Sequence, residues 1–401
     1  MNAFVNEPRP RRPVAWHVRS AAGFVLGGLA AAGYVLWQLI VEQKLFLHTL
    51  LVERVGARGV PKLPVGYGNV LRLKLIMLVQ QLTRNPEALK ARQFHVYAAI
   101  LGRLQKQGVR PAPPATIREY AAEEIDPRSF YREHVKRGVP CVIRGFQREG
   151  LERWTFAALA ERYPDAVAQV LDLRDRRIRS VTLREAWADG RARYIPQQAL
   201  LDQDPAFRAE FGIERSNRFF PVLGRPATPI ACFLILGFGR GLNANFHCEE
   251  SPNWYLAVSG SKRWTLVESE YSWLLYPAAR GDGLRRFSEF RADAEGYPED
   301  RARFPLAEYA PRIELELHPG DVLYFPAWMW HKTINLDAEG LGVTCRYVAP
   351  TVMSNRFFRA LQMISPALWK STVQVVAGAV RGDSGGLEEA GGFNEQEVSL
   401  Y

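Results

Sequence analysis

Residues 318–331 read HPGDVLYFPAWMWH, and residues 243–249 read NANFHCE. The first stretch opens with a Pro319-Gly320-Asp321 turn and continues as an apolar run, Val322 to Phe325, of the length of a buried strand. Pro326 ends that strand, and His331 follows among Trp328, Met329 and Trp330. In the second stretch, a strand period of two puts Asn243, Asn245, His247 and Glu249 on one face and Ala244, Phe246 and Cys248 on the other. A polar file of this kind faces a cavity while the opposite face packs. Side chains two apart on a strand project side by side, so a nitrogen of His247 and an oxygen of Glu249 can reach one metal ion. Alone, the pair is weak evidence, because a lone buried histidine is more often a hydrogen-bonded core residue. With His331 supplied by another strand of the same sheet, two histidines and one carboxylate make the facial triad of a non-haem Fe(II) site. Zinc in a hydrolase is open from the ligand types alone, but no H-E-x-x-H helix accompanies it.

Working outward, further short apolar runs punctuated by Gly and Pro fill the middle of the chain. They are Pro140-Cys141-Val142-Ile143-Arg144-Gly145, Ala231 to Phe238 and Trp264 to Val267. Strands of this length imply a mainly β sandwich or barrel with helical decoration, such as Trp154 to Tyr163. The 401 residues suffice for one large or two modest domains. With 47% hydrophobic and 23% charged residues the chain is neither disordered nor collagen-like, and a mean hydropathy of -0.17 excludes a multi-span transporter. A net charge of +10 favours a partner of negative potential, whether membrane surface, nucleic acid or acidic metabolite, without choosing among them. Cys141, Cys232, Cys248 and Cys345 form no C-x-x-C pair, which argues against a zinc ribbon or a disulfide framework and for a reducing compartment.

Near the start, the 22 residues Ser20 to Val41 carry no charge and would span about 33 Å as a helix, against a hydrocarbon core of about 30 Å. They are expected to form one transmembrane helix, an uncleaved anchor rather than a signal peptide, because the apolar stretch exceeds a signal h-region. Residues 43–110 read as helical, with Val70 to Leu82 either interfacial or packed on the following domain. Pro111, Pro113 and Pro114 mark a boundary. The expected organisation is a basic tail (1–19), the membrane helix (20–41), a membrane-proximal helical region (42–112), the catalytic domain (113–350), a C-terminal helical segment (351–381) and a Gly-rich, disordered tail (382–401).

The combination of His247-Cys248-Glu249, Gly260-Ser261-Lys262-Arg263-Trp264 and Pro319 to Pro326 ending at His331 resembles the cupin-like and Jumonji C (JmjC) family of Fe(II)- and 2-oxoglutarate-dependent oxygenases. Pro140 to Gly145 resembles the family's early P-x-V-I-R-G strand, and Trp154-Thr155-Phe156 the start of its following helix. The resemblance covers roughly residues 115–350 and implies a double-stranded β-helix (cupin or jelly-roll) core with flanking helices. It also implies a hydroxylase using Fe(II), 2-oxoglutarate and O2, with His247, Glu249 and His331 as iron ligands. Glu249 stands where Asp is commoner. Lys262, 15 residues after His247, matches the lysine that pairs with the far carboxylate of 2-oxoglutarate in the asparaginyl-hydroxylase-like branch. Asn253 matches an active-site amide of that branch. Arg346 stands where the branch often has Asn, and would contact co-substrate, substrate or an acidic neighbour.

Trp328, Trp330 and Phe246 are expected either as a water-excluding shell or as plain core. The substrate class left open is a protein side chain, a lipid-linked molecule or a small molecule, with membrane lipid as a neighbour and no nucleic acid. A demethylase and a non-catalytic cupin-like binding module are the alternatives. Charges flanking the anchor balance, so the expected cytoplasmic placement of the domain rests on where Fe(II), 2-oxoglutarate and reduced thiols are found.

Overall fold

Short strands joined by tight turns dominate the structure, a computed structural model that describes residues 63–363 except 173–176, 190–192, 198–204, 223, 230, 242, 279–284, 291–299, 348, 350 and 352–353. In chain order the strands are β1 (Arg118–Ala121), β2 (Cys141–Arg144), β3 (Val167–Asp172), β4 (Arg177–Thr182), β5 (Arg193–Gln197) and a small hairpin, β6 (Pro221–Val222) with β7 (Arg225–Pro226). Then follow β8 (Ala231–Phe238), β9 (Asn243–Glu249), β10 (Asn253–Ser259), β11 (Lys262–Val267), β12 (Pro277–Ala278) and β13 (Arg285–Ser288). The last four are β14 (Ile313–Leu317), β15 (Val322–Phe325), β16 (Trp330–Asn335) and β17 (Glu339–Arg346).

Two sheets face each other. The larger runs β1-β2-β15-β10-β17-β8-β5-β3-β4 and the smaller β12-β13-β9-β16-β11-β14. From β8 onward, the strands β8, β10, β15 and β17 lie in the larger sheet, while β9, β11, β14 and β16 lie in the smaller, so the chain crosses from one sheet to the other at almost every turn. This alternation builds a mainly β sandwich core, with each inner face contributing every second residue. Tyr255, Ala257, Trp264, Leu266, Leu315, Leu317, Leu323 and Phe325 fill the space between the sheets as one apolar cluster. The larger sheet's outer face is covered by an aromatic layer in which Trp254 meets Phe130, Phe146 and Phe219, and Phe220 stacks on Tyr347 at 3.8 Å. The helix Phe156–Arg162, capped by Thr155, belongs to the same layer.

The Pro-Gly-Asp turn owes its stability to its aspartate. Asp321 accepts from Arg144 Nη1 at 2.7 Å, from the Gly145 N–H at 3.0 Å and from the His318 N–H at 3.1 Å, tying the β14–β15 turn to the end of β2. Arg144 also forks onto Glu119 of β1 at 2.8 and 2.9 Å. The two sequence motifs thus form one joint at the edge of the sandwich.

Within the stretch read as helical lie two helices, Tyr67–Thr83 and Lys90–Lys106, joined by a Gln80–Gln93 hydrogen bond. The first of them buries Val70, Leu73, Ile76 and Met77, the packed alternative for this stretch. The transmembrane expectation, and the single-pass placement with a cytoplasmic domain drawn from it, is corrected: among the described residues no helix is long and apolar enough to cross a membrane. The two longest of these helices have 17 residues each, about 26 Å at 1.5 Å per residue, and carry Arg and Lys. Ser20–Val41 and the tail 382–401 lie outside the described residues.

Candidate functional site

His247 on β9 and His331 on β16 are direct cross-strand partners, which brings their rings to 4.1 Å between centroids. The turn before β16 sets this register. Trp328 is fully buried with φ 63°, a left-handed conformation that costs a bulky residue about 1–3 kcal/mol, and its N–H donates to the carbonyl of Glu249 at 2.6 Å. Strain in that turn is offset by a latch onto the end of β9.

Each imidazole is held by a backbone carbonyl: Nδ1 of His247 lies 2.8 Å from Asn245 O, and Nδ1 of His331 lies 3.1 Å from Met329 O. A carbonyl only accepts, so Nδ1 carries the proton and donates on both rings, and in a neutral ring Nε2 carries the free lone pair that accepts a proton or binds a metal. Burial, then the neighbouring His247, pushes His331 down to about 3, so it is neutral through the physiological range. Nε2 of His247 is 4.0 Å from Oε1 of Glu249. Glu249 also pairs through Oε2 with Nη2 of Arg346, an ion pair that crosses from β17 to β9 and leaves the carboxylate side chain only 6% exposed.

The chemistry of a metal centre can be tested on these groups. Two imidazoles presenting Nε2 and a carboxylate are the donor types a non-haem iron takes. They fit in kind, but the carboxylate is shared with Arg346, and among the described residues no group of three or more His, Cys, Asp and Glu side chains stands close enough to hold an ion.

Lys262 lies on the same inner face of β11 as Trp264 and Leu266, and Leu266 is the register partner of His331. Its ammonium is buried, 5.7 Å from the Tyr255 ring, and burial alone pushes it down to about 8. Among the described residues no carboxylate pairs with it. The room it occupies is made by β17: a Cβ on Gly340 would fall 2.7 Å from Lys262 Cε, and one on Gly342 would fall 2.1 Å from the Tyr255 hydroxyl. The indole N–H of Trp264, buried beside His331, has no partner among the described residues. Asn253 of β10 is register partner to Arg346 and accepts from the Thr344 hydroxyl, so its carbonyl oxygen is engaged within the sheet.

Of the two readings for Trp328, Trp330 and Phe246, the structure takes plain core. Trp330 donates to Ser272 at 2.9 Å and, like Trp328, packs its ring against Phe358 of the helix Arg356–Met363. One residue from His331 on a strand means the opposite face. Phe246 likewise faces Phe290. The rings beside His331 are Phe325 at 4.5 Å and Trp264 at 6.0 Å. Reading the strand period on from Lys262 is the signal that would have found Trp264, and from Asn253 the signal that would have found Tyr255, which packs on Trp264 and lies beside Lys262.

Residues 179–362 match the family model of the cupin-like domain. The chain is 32% identical over 120 residues to JmjC domain-containing protein 8 of Mus musculus, and 31% identical over 121 residues to the protein of the same name of Homo sapiens. Each match covers 30% of this chain and 38% of the relative, so the chain spans well under half of the length of these relatives.

Proposed function

We propose that a cupin-like domain, so matched, serves here as an Fe(II)- and 2-oxoglutarate-dependent oxygenase, related to the asparaginyl-hydroxylase-like branch and hydroxylating a protein side chain or a small molecule. The observation that carries this reading is Lys262. A buried ammonium with no carboxylate paired to it among the described residues costs several kcal/mol in isolation, and a bound anion offsets that cost. Lys262 stands four residues along β11 from the partner of His331, about 13 Å of strand, which suits a lysine side chain followed by a short dicarboxylate.

In this reading His247, His331 and Glu249 hold the metal, and Lys262 binds the far carboxylate of 2-oxoglutarate. Bound iron supplies the chemistry by which O2 oxidises 2-oxoglutarate to succinate and CO2 and hydroxylates a C–H bond. The protein contributes orientation and dryness. The carbonyls of Asn245 and Met329 fix the imidazole tautomers, while Phe325 and Trp264 keep water from His331. Demethylation would use the same groups and differ only in the substrate's C–H bond.

The engagement of Glu249 by Arg346 favours one second reading, an anion-binding cupin without metal chemistry. The deciding experiment incubates the purified protein with Fe(II), ascorbate and 2-oxoglutarate and measures succinate. Release that disappears in Lys262→Ala and in His331→Ala is expected. Binding of 2-oxoglutarate without any succinate would leave the second reading, and absence of both would refute the proposal.

A further inference from the structure

Arg346 is the cation set against the candidate carboxylate ligand of this centre. It sits at the end of β17 between Asn253 of β10 and Ala231 of β8, its guanidinium lies 5.1 Å from the Phe233 ring, and it reaches across to the opposite sheet to pair with Glu249. The pair is well shielded, with Arg346 15% and Glu249 6% exposed, so water screens it little. A guanidinium on a carboxylate oxygen does electrostatically what a cation bound there would do. Two positive charges cannot share that oxygen without repelling each other.

We infer that Arg346 is an internal competitor for the metal: it occupies Glu249 in the metal-free protein and must be displaced before that carboxylate can join His247 and His331 around a divalent ion. This rests on the oxygenase reading for the identity of the ligands and adds to it a residue that sets metal affinity. Two features suit the role. The Phe233 ring already lies 5.1 Å from the guanidinium and would still neighbour it on its own sheet once Glu249 is released, and the Arg346 position is reached from β17 rather than from the strands that carry the imidazoles.

The experiment titrates the metal-free full-length protein with Co(II), following its visible absorption, and compares wild type with Arg346→Asn and Arg346→Gln. Gln keeps a hydrogen-bond donor on a shorter side chain and drops the charge, as does the still shorter Asn, so one variant that folds by circular dichroism suffices. The inference predicts binding at least tenfold tighter in the neutral variants, and no such gain once His331→Ala is added. Equal affinity in wild type and variants would overturn the role of Arg346 and leave the triad standing. Weaker binding in the variants would also overturn it, making Arg346 a support for Glu249 instead. No binding in any of the proteins would overturn both this inference and the oxygenase reading. Binding by the neutral variants alone would support the inference and make the wild-type protein a metal-excluding cupin.

Discussion

Replacing Lys262 by Met tests whether a buried, uncompensated cation lies at the heart of this fold. Burial lowers the Lys262 ammonium from 10.5 to about 8. At ~1.4 kcal/mol for each tenfold change in proton affinity, that drop corresponds to about 3 kcal/mol against the charged form in the folded protein. The unfolded chain holds this proton more tightly, so between pH 8 and pH 10.5 unfolding takes up a proton and stability rises with pH. Below pH 8 the full penalty applies.

Lys262→Met, which keeps much of the side-chain volume and drops the charge, should therefore stabilise the ligand-free protein by up to about 3 kcal/mol at pH 7. The gain should shrink steadily to near zero at pH 10.5. Urea denaturation of both proteins across this range measures it, and titrations common to both cancel in the difference. Adding 2-oxoglutarate at about 100 times its Kd should then stabilise wild type by ~2.7 kcal/mol and leave the variant unmoved. A variant less stable than wild type at pH 7, or equal stabilisation of both by 2-oxoglutarate, would refute the reasoning.

Gly342→Ala places a Cβ 2.1 Å from the Tyr255 hydroxyl, so it should cost ~1–3 kcal/mol in denaturation and weaken 2-oxoglutarate binding by crowding the cradle around Lys262. Asp321→Ala removes the acceptor shared by Arg144, Gly145 and His318, and a loss of ~2–3 kcal/mol is expected from a thermal melt. His331→Ala should abolish Co(II) binding while leaving the far-ultraviolet circular dichroism of the sandwich unchanged. Retained stoichiometric metal in that variant would move the ligand search away from β16.

Much of the sandwich and part of the site were legible along the chain. The alternation in residues 243–249 and the Pro-Gly-Asp turn before Val322 express backbone geometry, which repeats every two residues whatever lies across the sheet. That period put His247 and Glu249 on one face, whereas Lys262 and Asn253 were named only through the resemblance to the oxygenase family. For Trp330 the sequence left shell and plain core both open, and the structure takes core because a single step along a strand from His331 reverses the face. Hydropathy alone suggested a membrane span, for which the helices among the described residues are too short and too charged.

What no local pattern contains is which charges meet across the two sheets. Arg346 could have faced co-substrate, substrate or an acidic neighbour, and only the winding of β17 against β9 pairs it with Glu249. Lys262 looks like any lysine beside a glycine until Gly340 of β17 leaves room for its side chain to be buried without a counter-ion among the described residues. The residue types and their period by themselves determined the strands and the candidate donors. The partners of the charged groups were decided by tertiary structure, because Coulomb interaction depends on separation and desolvation, and these are set by packing between strands distant in the chain.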